Sequence, residues 1–397
     1  MNVNLVHLRS KGSDRMERIY FDNSSTSFPK APGVSDDMKF LLDQGAFNIN
    51  RGGYEEAYQV AEQVLETRKL LAQLFDFPKA RNVVFGPNIT ASLNYLIKGL
   101  FAPGDHIITS SMEHNAVIRP LTQMQAAGVS FDAAACNPDG TLDPQKIEDL
   151  IRPNTRAVIV TAASNVCGTF LPLEQIGEIC SRRGLLYIVD SAQKAGPFSI
   201  SMKQCRMDAL CFTGHKGLLG PQGIGGMLLS DEVAQKTEPL IAGGTGSASH
   251  LEQMPPFMPD RFEAGTMNIP GIIGLRAALK FLNAQEPGAL AAHELDLAMM
   301  LRQGISELKQ ARPVGLEGRE GRAAIVSVDF PEDDNARVAF ELEQHYGILT
   351  RVGLHCAPRA HQTLGTYPGG TVRFSLGWSN TAEEVQYCLE ALHKILN

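Results

Sequence analysis

The chain contains no run of lysine or arginine longer than the adjacent Arg182 and Arg183, and its formal net charge is −7. It therefore lacks the electrostatic footprint of a nucleic-acid binder, and small molecules or other proteins are the expected partners. No stretch approaches the ~18 consecutive apolar residues that cross a bilayer, and the segment ending at Arg18 lacks the apolar core of a secretion signal. No membrane association and a cytoplasmic location are expected. The seven cysteines include no C-x-x-C pair, which argues for reduced thiols and against a disulfide framework or a zinc site. No metal ligand set is expected, and there is no internal repeat or low-complexity linker. What remains is 397 residues, 44% hydrophobic and 20% charged, with 37 glycines. That is the composition of a soluble α/β enzyme large enough for about two or three domains.

Residues 1–15 are polar and unpatterned, and an N-terminal arm is expected over 1–18. Ala57, Val60, Ala61, Val64, Leu65, Leu71, Ala72 and Phe75 then recur at three-four spacing, which predicts one face of a helix over 55–75. Short β-rich runs at 82–85, 106–110, 129–133, 157–161, 185–189, 209–212 and 226–229 alternate with helical stretches. The alternation predicts a mainly parallel seven-stranded sheet in a large domain, 19–270, with ligands at the carboxyl ends of its strands. A long helical segment over 271–308 follows, then a strand at 323–330, a helix at 336–346, strands at 348–351 and 371–376, and a helix at 382–396. These predict a smaller α+β domain over 271–397.

The loops after the strands carry the candidate chemistry. Thr213-Gly214-His215-Lys216 follows one apolar run and precedes a glycine-rich stretch, where a lysine amine can meet a bound aldehyde. A solvated surface lysine would look the same. Asp190 ends another run with no cation beside it in sequence, and an ionised carboxylate there needs a partner such as a protonated ring nitrogen. A pyridinium held in that way is an electron sink. In Gly86-Pro87-Asn88-Ile89-Thr90, ahead of a helix over 91–100, Ile89 and Thr90 stand where helix N-terminal amides and a hydroxyl bind an anion. Thr90 is the expected cap, and an ordinary N-cap is the alternative. Thr213 and His215 flank the lysine and could donate to the same anion, such as a phosphate.

Taken together these segments resemble the class V aminotransferases of fold type I, and within them the cysteine desulfurases and selenocysteine lyases. The resemblance runs in collinear order from Ile19 to Leu396. Tyr20-Phe21-Asp22-Asn23-Ser24-Ser25-Thr26 looks like the family's opening Y-L-D-N-A-A-T, with serines where alanines are usual. Met112-Glu113-His114-Asn115 and Ser164-Asn165-Val166-Cys167-Gly168-Thr169 look like two further family segments, and Asp190 with Gln193 and His215 with Lys216 match its cofactor pairs. The phosphate loop departs from the family's usual glycine, threonine and glutamate.

The resemblance implies pyridoxal 5'-phosphate held covalently by Lys216, with Asp190 on the ring nitrogen and Gln193 on the ring oxygen. It implies that His114 stacks on the ring and shuttles a proton, and that Asn165 and Arg351 lie at the substrate. Arg373 would grip the substrate α-carboxylate, although a strand arginine could instead pair with a carboxylate of the protein. Thr266, in Phe262-Glu263-Ala264-Gly265-Thr266, would reach the phosphate of a neighbouring subunit in a homodimer. Arg351-Val352-Gly353-Leu354-His355-Cys356-Ala357 resembles the R-x-G-x-H-C-A loop of group II desulfurases. A loop cysteine beside a histidine and near an arginine has a route to a usable thiolate. The implied reaction takes sulfur from L-cysteine onto Cys356, leaves L-alanine, and hands the sulfur to a thiol or an acceptor protein. Alternatives are a lyase acting on L-selenocysteine, a transaminase or β-lyase acting on another amino acid, and a cofactor-free scaffold.

Overall fold

The computed structural model describes residues 18–49 and 52–397. The arm expected over 1–18 lies, apart from Arg18, outside the described residues. The central layer is a seven-stranded sheet in the order Val83–Gly86, Gly225–Leu229, Ala209–Thr213, Leu186–Asp190, Thr155–Thr161, His106–Ser110, Ser130–Ala134. Gly225–Leu229 runs antiparallel to both of its neighbours, and the remaining pairings are parallel. The fold is α/β with a mainly parallel sheet, as the spacing of apolar runs predicts.

Period-two alternation divides each inner strand between two cores. Val158 and Val160 enter one apolar cluster with Val189, Leu210 and Phe212, while Ala157 and Ile159 enter the other with Ile188, Ala209 and Cys211. The helix Glu55–Leu74 covers the first face with Val34–Gln44 and Ile269–Asn283, and the helices Ile89–Leu100 and Asn115–Gln125 cover the second. Burying an apolar side chain such as Leu71 or Leu93, both fully buried, contributes about 1.5–3 kcal/mol. A sheet covered on both faces opens only at its strand ends, so any ligand site is confined there.

The helical segment expected over 271–308 is two helices, Ile269–Asn283 and Ala289–Ser306. Pro287 cannot continue a helix and Gly288 takes a left-handed φ of 79° at the new N-cap, so the chain turns between them. The first helix packs on Val34–Gln44 and Glu55–Leu74, and the second joins the C-terminal core. The strand expected over 348–351 is likewise divided. Ile348–Leu349 pairs parallel with Ile19–Tyr20, while Arg351–Gly353 joins a four-stranded antiparallel sheet with Thr371–Ser375, Ile325–Asp329 and Arg312–Val314. The helices Ala289–Ser306, Asn335–Tyr346 and Ala382–Leu396 pack on that sheet, the last opened by a Thr381 and Glu384 capping box. No described helix is long and apolar enough to cross a membrane.

Candidate active site

Two adjacent strands deliver the first pair of residues. Asp190 ends Leu186–Asp190, and its neighbour Ala209–Thr213 runs out into Gly214, His215 and Lys216. This turn needs its glycines: a Cβ on Gly217 would lie 2.3 Å from the Ala195 carbonyl oxygen, and one on Gly214 would lie 2.9 Å from the Ile224 Cγ2. The carbonyl of His215 accepts from the Ser27 amide at 2.8 Å and from Lys30 Nζ at 3.1 Å, which fixes the backbone just before Lys216. Burial pulls the Lys216 amine down to about 8, against the attraction of Asp190 and with the repulsion of Arg373 and Arg351. Near neutral pH a sizeable fraction of that amine is therefore uncharged and nucleophilic.

Asp190 is 2% exposed and has no ion-pair partner among the described residues. Its Oδ1 accepts from the Ala192 amide at 2.9 Å, and burial raises its carboxyl above the ordinary range. A buried carboxylate without a cation suits a ligand that brings one. His114 caps the helix Asn115–Gln125, its Nδ1 accepting from the Ala116 amide at 2.9 Å, which leaves Nε2 free to carry the proton. Burial and the charges of Lys216 and Arg351 pull this ring down to about 4, so it is a neutral imidazole.

Thr213 Oγ1 and His215 Nδ1 are buried without a hydrogen-bond partner among the described residues, two polar atoms positioned for a ligand. Thr90 is not the cap: Asn88 Oδ1 accepts from the Ala91 amide at 2.9 Å, and Thr90 is an exposed residue of the helix's first turn. Asparagine caps as well as threonine does, and the helix begins two residues earlier than the apolar pattern shows. Ile89 is 7% exposed, its side chain in the core, so only its backbone can face an anion. Thr266 is exposed, accepts from Asn48 Nδ2 at 3.4 Å, and shares a cavity with Gly86, Pro87 and Ala91. Gln193 donates to the Ser24 carbonyl at 3.1 Å.

Antiparallel register places Arg351 directly opposite Arg373. Arg373, 1% exposed, donates to the Asn165 carbonyl at 3.0 Å, to Asp22 Oδ1 at 2.9 Å and to Ser25 Oγ at 2.9 Å. It thus has the protein carboxylate that sequence alone left as the alternative, while its Nε is buried and unpartnered. Asn165 Nδ2 donates to the His355 carbonyl at 2.6 Å and leaves its Oδ1 buried without a partner.

Cys356 is exposed, and Arg351 Nη2 stands 3.6 Å from its sulfur. The neighbouring histidine does not supply that contact. His355 is buried, its Nε2 paired with Thr371 Oγ1 at 3.1 Å, and burial with the charge of Arg373 pulls the ring down to about 2. His355 is buried while Cys356 is exposed, so the histidine anchors the loop and the arginine supplies the charge beside the sulfur. His355 and Cys356 have φ of 47° and 59°, a left-handed pair without glycine, and such strain clusters at functional sites. The Asn115 amide donates to the Cys356 carbonyl at 2.8 Å, tying the loop to the helix capped by His114. No set of three metal-ligating side chains lies together among the described residues.

Asp22 and Ser25 stand in the opening motif with no role implied by the sequence, yet Asp22 accepts from Arg373 and Ser25 accepts from both Arg373 and Arg351. Glu113, also without a role from sequence, is fully buried and accepts from Ser110 Oγ and from the Thr161 amide, the latter at 3.1 Å.

The sequence profile of the family described as Aminotransferase class-V matches residues 19–388. A probable cysteine desulfurase of Methanothermobacter thermautotrophicus is 31% identical over 384 residues, covering 96% of this chain and 95% of that protein. A cysteine desulfurase of Shigella flexneri is 31% identical over 386 residues, covering 95% and 93%. Among solved structures, apo cysteine desulfurase from Thermococcus onnurineus superposes with a TM-score of 0.89 at 31% identity, covering 96% of this chain and 94% of that one. An Escherichia coli cysteine desulfurase in its S-sulfonic acid form gives 0.86 at 27% identity, covering 96% of each.

Proposed function

This chain belongs to the class-V aminotransferase family, and from that premise we propose that it is a pyridoxal-phosphate-dependent cysteine desulfurase, converting L-cysteine to L-alanine and passing the sulfur through Cys356 to a thiol or protein acceptor. Bound pyridoxal 5'-phosphate supplies an electron sink for the pair left at the substrate Cα. The residues suit that group: among the described residues Asp190 has no ion-pair partner and Thr213 Oγ1 and His215 Nδ1 have no hydrogen-bond partner, and burial pulls the Lys216 amine down to about 8.

Lys216 Nζ, which would hold the cofactor, also takes the Cα proton, and neutral His114 offers a ring face and a second proton carrier at Nε2. The unpartnered Nε of Arg373 gives the substrate carboxylate a charged donor, beside Asn165. The Cys356 thiolate attacks the substrate sulfur. An S–S bond forms as the Cβ–S bond breaks, the released pair is protonated at carbon to give the methyl group of alanine, and Cys356 is left as a persulfide.

The observation that carries this reading is the exposed Cys356 sulfur beside Arg351, on a loop bonded to the helix that starts at His114. Alanine and sulfide yields from L-cysteine, with and without Cys356→Ala, test it. The wild type yields both and the variant loses them. Full turnover by the variant defeats sulfur transfer through Cys356, and keto acid in place of alanine indicates a transaminase or lyase.

The proposal includes a homodimer in which Thr266 reaches the partner subunit's phosphate site. Its support is the exposure of Phe40 and Tyr58, 67% and 60%, on the helices Val34–Gln44 and Glu55–Leu74, with Thr266 joined to the same region through Asn48. A free exposed thiol suits the reducing cytoplasm. The same reading divides the chain into an arm at 1–18, a cofactor domain at 19–270 and a C-terminal domain at 271–397.

A further inference from the structure

One hydroxyl stands where the two arginines meet. Ser25 Oγ donates to Asp22 Oδ1 at 2.7 Å and accepts from Arg373 at 2.9 Å and Arg351 at 3.2 Å. Neither guanidinium can accept, so the single hydroxyl proton is committed to Asp22 and both lone pairs to the arginines. The hydroxyl is saturated in one arrangement only.

The two arginines depend on it to different degrees. Arg373 also holds Asp22 directly and the Asn165 carbonyl, so its position survives without Ser25. Among the described residues the Arg351 guanidinium makes two hydrogen bonds, one to Ser25 Oγ and one to the Cys356 sulfur. A long side chain held by a single firm hydrogen bond loses its place when that bond is removed, because its rotamer freedom is large. The usual residue of the resembling family at this point of the opening motif is alanine, which offers no such bond.

We propose that Ser25 is a positioning residue for sulfur transfer: its hydroxyl pins Arg351 against the Cys356 sulfur and ties it to Arg373, so that the carboxylate-binding end and the sulfur-accepting end form one linked arrangement. The proposal rests on the desulfurase reading and adds to it a chain-specific coupling. Asp22 sets the orientation of the hydroxyl, since it is the acceptor that takes the proton.

The test is the rate of Cys356 alkylation by iodoacetamide at neutral pH in the cofactor-loaded protein, followed by mass spectrometry of the Cys356 peptide. Cys356 is the exposed member of the seven free cysteines, and Cys356→Ala supplies the background. Ser25→Ala is expected to slow alkylation by about tenfold, the lower end for loss of one hydrogen bond to a charged group, with the cofactor's visible absorbance unchanged. Ser25→Thr, which keeps the hydroxyl, restores the rate. With L-cysteine, Ser25→Ala lowers kcat by more than it raises KM. Alkylation of Ser25→Ala at the wild-type rate overturns the proposal. Should Ser25→Ala fail to fold, Arg351→Met removes the guanidinium instead, and a wild-type alkylation rate in that variant is equally fatal. Alkylation needs no turnover of L-cysteine, so its outcome is read separately from the Cys356→Ala experiment on the function itself.

Discussion

Replacing Glu263 with glutamine is expected to loosen the phosphate end of the site. Glu263 and Arg68 form a two-pronged pair, with Oε1 to Nη1 at 2.7 Å and Oε2 to Nη2 at 2.6 Å, and their side chains are 4% and 7% exposed. Glu263 Oε1 also accepts from the Phe85 amide at 2.7 Å, one residue before the Gly86 to Thr90 loop, and Thr266 lies three residues beyond it. Arg68 donates in addition to the Val83 carbonyl and stacks 4.6 Å from the Phe85 ring. The pair therefore joins the helix Glu55–Leu74, the strand Val83–Gly86 and the Thr266 segment. Glu263→Gln leaves the guanidinium buried beside a neutral amide. Breaking a buried pair from one side costs about 3–5 kcal/mol, a factor of hundreds or more in the local equilibrium. Two assays read it: urea unfolding of the apoprotein followed by circular dichroism, and retention of the cofactor on gel filtration. Both should fall together, and Arg68→Met with Glu263→Leu should recover part of the stability because it removes both charges. A loss below about 1 kcal/mol in Glu263→Gln would refute the argument, because the pair would then behave as a solvated surface bridge.

Three further outcomes follow from local geometry. Burial pushes the Glu113 carboxyl up to about 8 from an ordinary 4.5, so its contribution to stability is complete below about 4.5 and is lost as pH rises through 8. Glu113→Gln should flatten that decline, with unfolding midpoints measured from pH 5 to pH 9 gaining on the wild type as pH rises. Asn88→Ala removes the cap of Ile89–Leu100 and should cost about 1 kcal/mol in urea unfolding, while Thr90→Ala should cost less. In the apoprotein, the rate at which Lys216 reacts with an aldehyde reagent should climb with pH and level off above about 8, where its amine is neutral.

Much of the sheet, and the strand-end positions of Asp190 and Lys216, were legible because both rest on short-range rules. Runs such as 157–160 are apolar throughout because they are covered on both faces, and Asp190 ends one such strand while Lys216 lies three residues beyond another. Other features depend on contacts distant in sequence or on backbone angles that composition does not reveal. Arg373 meets Asp22 across 351 positions, and Ser25 gains its role because strand register sets Arg351 opposite Arg373. The one signal in the sequence was that Ser25 departs from the alanine usual in the resembling family. The direction of His355 follows from two left-handed residues without glycine, a loop conformation that the residue types do not announce. The sequence does not single out the cap at Asn88 because asparagine and threonine can both cap a helix, and the choice falls to where the first helical turn closes.

The covalent role of Lys216 underlies the whole account. Sodium borohydride treatment of the cofactor-loaded protein, followed by proteolysis and mass spectrometry, tests it directly. A pyridoxyl mass fixed on the peptide containing Lys216 is expected, with loss of L-cysteine turnover in the reduced protein. An unmodified Lys216 peptide, or the mass on another lysine, would contradict it.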